Sequence, residues 1–142
     1  MDREFFRMRG ITKVYKMGDE DAVVLRGIDL DIQRGEYLSV LGPSGSGKST
    51  LMNIIGCLDQ PTEGEYALDG NRIEDLDELE LARIRGSEIG FVFQNAQLLT
   101  RLDAQKNVEL PLIYAGVRPK ERERRAREML SLVGLSDRMH HR

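Results

Sequence analysis

Cysteine is almost missing. Cys57 is the single one in 142 residues, so no disulfide can form within the chain, and its apolar neighbours mark it as a buried thiol. No apolar run approaches the ~20 residues that a membrane-spanning helix needs, and the opening Met1-Asp2-Arg3-Glu4 carries no apolar leader. A basic excess is also lacking: 21 Lys and Arg face 24 Asp and Glu, a net charge of −3, which argues against a nucleic-acid partner. These absences predict a cytosolic chain without direct membrane insertion, whose membrane association comes through a partner. The 40% of residues that are apolar suffice for a core in a chain of one-domain length or part of a larger domain.

What is present centres on Gly42-Pro43-Ser44-Gly45-Ser46-Gly47-Lys48-Ser49-Thr50, which fits the phosphate-binding pattern G-x-x-x-x-G-K-[ST]. The mostly apolar residues 37–41 before it read as a strand buried on both faces of a parallel sheet. Leu51, Ile54, Ile55 and Leu58 after it recur at i, i+3, i+4 and i+7, the apolar face of a helix. Strand, loop and helix together separate this stretch from an ordinary Gly/Ser-rich surface turn. A nucleoside triphosphate is strongly anionic, and a helix N-terminus offers unpaired N–H groups and positive dipole potential. Gly45 and Gly47 remove Cβ atoms, so the amides from about Gly45 to Thr50 can converge on one anion. Lys48 should reach the β- and γ-phosphates, and the Ser49 hydroxyl should ligate Mg²⁺.

Around that loop, residues 5–15 read as a strand followed by a polar loop over 16–21. Ile28, Leu30 and Ile32 alternate with Asp29, Asp31 and Gln33 in a second, half-buried strand, and Arg34-Gly35 turns the chain. Residues 65–68 read as a short strand closed by the turn dipeptide Asp69-Gly70. That turn argues against Leu68-Asp69 as the end of a second Mg²⁺-binding strand. Asp77 with Glu80 three positions on predicts a capped helix to about Arg85. The apolar residues 89–93 read as another buried strand that delivers Gln94. Residues 107–115 predict a helix interrupted by Pro111. Pro119 opens a longer helix with Ala126, Met129, Leu130 and Val133 on one face, Glu121–Arg125 and Glu123–Arg127 as i, i+4 pairs, and Gly134 as its stop. Its basic residues read as a solvated face or a partner contact, and His140-His141 as an exposed tail.

This ordered set resembles the ATP-binding subunit of ABC transporters, and within it the lipoprotein-release and macrolide-export branch. Val14-Tyr15-Lys16-Met17-Gly18, the loop 42–50 with Leu41 and Leu51, Asn53-Ile54-Ile55-Gly56-Cys57-Leu58-Asp59, Pro61-Thr62-Glu63-Gly64, Ile89-Gly90-Phe91-Val92-Phe93-Gln94 and Asn107-Val108-Glu109-Leu110-Pro111-Leu112 carry the resemblance. It implies an α/β fold: a P-loop NTPase core with an antiparallel β preface over residues 1–94, then the beginning of a helical subdomain over 95–142. It further implies ATP and Mg²⁺ as ligands, Tyr15 stacking on adenine, and Gln94 touching Mg²⁺ and the attacking water. A transmembrane permease and a second ATP-binding subunit are the implied partners, at the inner face of the cell membrane.

The family's Ser-Gly-Gly signature, second Mg²⁺-binding strand, catalytic Glu and switch His do not occur in the 142 residues. The expectation is therefore an incomplete domain, the N-terminal part of a longer ATPase, that binds nucleotide without turnover on its own. The alternative is a standalone, non-hydrolysing module that pairs with an intact subunit. A missing neighbour for residues 37–41 would also leave backbone groups unpaired and invite aggregation.

Overall fold

A computed structural model describes residues 5–95 and 97–142; residues 1–4, on which the expectation about a leader falls, lie outside them. The chain divides into two compact units, Met1–Val92 and Phe93–Arg142.

The first unit holds a four-stranded antiparallel sheet in the order β2-β1-β3-β4, made of β1 (Phe6–Met17), β2 (Glu20–Ile32), β3 (Glu63–Leu68) and β4 (Asn71–Arg72). β1 and β2 pair as far as Met17↔Glu20. The polar loop expected over 16–21 is therefore only the two-residue turn Gly18-Asp19. Gly18, at φ 67°, takes the left-handed conformation that lets a hairpin close so tightly. The alternation in β2 is real: Ile28, Leu30 and Ile32 are half-buried while Asp29 and Asp31 are exposed.

Phe6, Met8 and Ile11 of β1, Leu25 of β2, Tyr66 and Leu68 of β3 and Leu51 and Ile54 of α1 (Lys48–Ile55) form the core. Each such burial is worth roughly 1.5–3 kcal/mol. The Tyr66 hydroxyl donates to the Ile55 carbonyl at 2.6 Å, tying β3 to the end of α1, and burial pushes its phenol far above the ordinary range. α1 ends before Gly56, so Leu58 lies beyond the helix, is exposed and does not join the apolar face expected of it. Cys57 is buried at that helix end.

Two expected strands do not form. Among the described residues, 37–41 and 89–93 pair with no strand; Tyr37 and Leu41 are 92% and 90% exposed, while Val40 and Ile89 pack on the core. An apolar run becomes a strand only when an adjacent strand takes its backbone N–H and C=O groups in a ladder, and among the described residues neither run belongs to the sheet. Asp69 and Gly70 close the β3–β4 hairpin as their sequence predicts, with φ 47° and 83°, and Asp69 pairs with Arg34. α2 (Glu78–Ser87) begins with the expected capping box: Glu80 N–H donates to Asp77 Oδ1 at 2.8 Å, and Asp77 N–H to Glu80 Oε2 at 2.9 Å.

In the second unit α3 (Ala104–Tyr114) packs against α4 (Pro119–Leu132). α3 runs through Pro111 rather than breaking there; the residue is exposed, and its cost is limited to the helical hydrogen bond its missing N–H cannot make and to local crowding. Ala126 and Leu130 are buried, but Met129 and Val133 are exposed, so the apolar stripe of α4 is narrower than the sequence suggests. Glu121–Arg125 and Glu123–Arg127 form at 2.7 and 2.6 Å, and Arg124 adds bridges to Glu121 and Glu128. The His140 and His141 side chains are exposed, yet their segment is docked: Gln105 N–H donates to the Met139 carbonyl and Ala104 N–H to that of His141, both at 2.9 Å. First-turn amides of a helix need such acceptors. No helix among the described residues is long and apolar enough to cross a membrane.

Candidate functional site

The loop 42–47 bends sharply into α1. Ser46 N–H donates to the Pro43 carbonyl at 3.2 Å, and Gly45 and Gly47 sit at φ 79° and 94°, conformations that L-residues avoid. Leu51 N–H donates to the Gly47 carbonyl at 2.9 Å. Among the described residues the amides of Lys48, Ser49 and Thr50 have no backbone acceptor, the usual condition of a helix start. Gly47 supplies no side-chain cap, and no acidic residue lies in the first turn.

Those amides face a cleft of about 360 Å³ lined by Ser44, Gly45, Gly47, Lys48, Ser49 and Thr50, with Val24 from β2. Ser49 is exposed and Lys48 half-buried. The Lys48 ammonium folds back on its own loop, donating to the Gly42 carbonyl at 2.5 Å and the Pro43 carbonyl at 2.7 Å, with Ser46 Oγ at 3.4 Å. A cation, unpartnered amides and a hydroxyl thus share one opening, a donor set that suits an anion and its counter-cation.

The glycines keep the cleft open and its walls close. A Cβ on Gly47 would lie 3.0 Å from Leu25 Cδ2 and 3.1 Å from the Val24 carbonyl oxygen. Val24 is the residue that sequence reading missed. Lys13 pairs with Leu25 and Val14 with Val23, so Val24 is the extra residue of a β-bulge, a device that re-aims a side chain. Two successive valines inside an alternating strand are the trace it leaves in the sequence.

Tyr15 stands on β1 opposite Ala22, is 38% exposed, and is not among the residues lining the cleft. Its hydroxyl donates to Asp59 Oδ2 at 2.9 Å, and the Lys13 ammonium lies 5.0 Å from its ring centroid. Gln94 is exposed at a bend and belongs to the second unit. The structure therefore brings together the loop residues of the predicted site; Tyr15 adjoins the bulged stretch, and Gln94 lies in the other unit.

The family profile described as "ABC transporter" matches residues 25–142. This chain belongs to the ABC transporter family. Among ABC relatives, the uncharacterized ABC transporter ATP-binding protein YknY of Bacillus subtilis is 58% identical over 135 residues, covering 95% of this chain and 59% of YknY. The macrolide export ATP-binding/permease protein MacB of Wolinella succinogenes is 48% identical over 142 residues, covering 100% of this chain and 22% of MacB. A solved dimeric, post-hydrolysis structure of the ATP-binding cassette MJ0796 bound to ADP and Pi superposes with a TM-score of 0.86 at 48% identity, covering 95% of this chain and 60% of that one. The chain thus spans about three fifths of YknY and of the MJ0796 cassette, and about a fifth of MacB. The α/β P-loop fold read from the sequence is that of these ABC cassettes.

Proposed function

We propose that this chain binds ATP with Mg²⁺ in the cleft of residues 42–50, as the nucleotide-binding part of the energy-coupling ATPase of an export-type ABC transporter. The observation that carries this reading is the open start of α1, where unpartnered amides and the Lys48 ammonium face one cleft. The amides around Gly45, Gly47, Lys48, Ser49 and Thr50 would hold phosphate oxygens. Lys48 would exchange its carbonyl partners for them, and the exposed Ser49 hydroxyl would ligate the metal. Bound Mg²⁺ would neutralise phosphate charge. Gly42 and Ser46 keep Lys48 at the mouth of the loop until then, Tyr15 would stack on adenine, and Gln94 would be the Mg²⁺ and water contact that the family resemblance implies.

Export as the transport direction, a permease and a second ATP-binding subunit are supported by what the relatives are called: MacB is named an export ATP-binding/permease protein, and MJ0796 is described as dimeric. With such a permease, the chain would work from the cytoplasmic face of the membrane. The reading is tested by melting the chain with and without MgATP. At ATP about 100-fold above its dissociation constant, binding adds ~2.7 kcal/mol to stability, a shift of several degrees. Lys48→Ala should abolish that shift while leaving the unliganded melt close to wild type, because its bonds are to exposed loop carbonyls. An unchanged shift would remove Lys48 from the site.

A further inference from the structure

Asp59 lies at the junction between α1 and β3, outside the nucleotide loop, and its carboxylate serves two side chains of β1. Oδ1 accepts from Lys13 Nζ at 2.7 Å, and Oδ2 accepts from the Tyr15 hydroxyl at 2.9 Å. Lys13 also donates to the Gln60 carbonyl at 2.6 Å and lies 5.0 Å from the Tyr15 ring centroid. Lys13 and Tyr15 are two apart on β1, the strand period that puts both on one face, and one carboxylate holds them there.

Tethering the chain would not need this arrangement. Thr62 N–H donates to the Thr12 carbonyl at 2.8 Å, and Val14 N–H donates to Thr62 Oγ1 at 2.9 Å, so the junction is already fastened to β1. Asp59 itself is fixed: the Gln60 amide donates to Oδ1 at 2.8 Å. Burial works against its charged form, but the hydrogen bonds from Lys13, Tyr15 and Gln60 outweigh it and hold the carboxyl below its ordinary range. It is a charged acceptor anchored on one side and offering its oxygens to the other.

We propose that Asp59 is a positioning residue for base recognition: with Lys13 it locks the Tyr15 ring in one orientation on β1, so that the ring is set for an adenine before nucleotide arrives. This rests on the nucleotide-site reading above. An exposed aromatic side chain otherwise samples several rotamers, and stacking must absorb the cost of fixing one. Because the hydroxyl is committed to Asp59, the ring reads a base through its face, and its hydrogen bond adds nothing to base discrimination.

The test compares ATP with inorganic tripolyphosphate, a ligand with the phosphates and no base, binding to the 142-residue chain in Mg²⁺ by calorimetry. Tyr15→Phe keeps the ring and loses the lock; Asp59→Ala loses the acceptor. Each should weaken ATP about fivefold, on the scale of one net hydrogen bond, while leaving tripolyphosphate affinity unchanged. The double variant should be no weaker than either alone, because both remove the same lock. Equal losses for both ligands, single-variant effects that multiply, or unchanged ATP affinity in Tyr15→Phe would each overturn the positioning role. Tyr15→Phe decides the matter if Asp59→Ala does not fold. A wild-type chain that binds tripolyphosphate and ATP equally sinks base recognition alone, whereas one that binds neither sinks the nucleotide site with it.

Discussion

Gly47 stands where loop becomes helix, at φ 94° with the wall of β2 against it. Two costs coincide for any side chain there: the left-handed backbone, about 1 kcal/mol or more, and a Cβ within 3.1 Å of the Val24 carbonyl oxygen, a backbone atom that cannot swing away. Gly45 carries only the first cost, since nothing lies within 4 Å of its Cβ position. Gly47→Ala should therefore lower stability by roughly 2–3 kcal/mol and lose the MgATP-dependent shift, whereas Gly45→Ala loses about 1 kcal/mol. Parallel melts of the two variants check this; equal effects would mean that β2 does not support the loop. Position 47 was legible in the sequence because the motif demands glycine there. Its packing against Val24 was not, because a bulge depends on how two strands pair.

At the scale of elements, features set by neighbours in sequence were legible and features set by distant partners were not. The Asp77/Glu80 box, the Asp69-Gly70 turn, Pro119 at the start of α4 and its i, i+4 pairs are local, and all occur as read. Residues 37–41 and 89–93 have the composition of strands, but a strand also needs an adjacent backbone. Likewise Met129 and Val133 carry the helical period, yet whether they are covered depends on what α4 packs against. The charge network of α4 yields its own test. Hydrogen bonds from Arg124 and then Arg125 hold the Glu121 carboxyl at about 2, against an ordinary 4.5. A depressed carboxylate stabilises the fold above its unfolded value and loses that contribution as pH falls through the folded one. Helicity followed at 222 nm should thus decline between about pH 4.5 and 2, and Glu121→Gln should flatten that part of the curve. The difference should shrink in high salt because the pairs are exposed; identical acid profiles would show that the pairs contribute nothing.

For the whole molecule, the uncovered side chains set solution behaviour. Tyr37, Leu38, Leu41 and Val92 of the first unit are exposed, and the runs that carry them have no strand partners among the described residues. Such segments associate with one another. Light scattering should rise with concentration in the micromolar range, and the pair Leu41→Lys and Val92→Lys should suppress it; a wild-type chain that stays monodisperse would contradict this. The same molecule-wide view applies to its helix ends. α2 is capped by the Asp77 carboxylate, with Glu78 and Glu80 in its first turn. α3 is capped by Asp103, and its first amides are held by the carbonyls of Met139 and His141. α4 opens on Pro119, which has no N–H, with Glu121 in its first turn. Each of these three starts is already neutralised by the chain's own acidic groups. Among the described α-helices, α1 alone has neither a side-chain cap nor an acidic residue in its first turn. A dissolved phosphate meeting this slightly acidic protein would thus be turned away at three helix ends and admitted at the fourth, so discrimination between surfaces would rest as much on where carboxylates stand as on the glycines that leave one place without them.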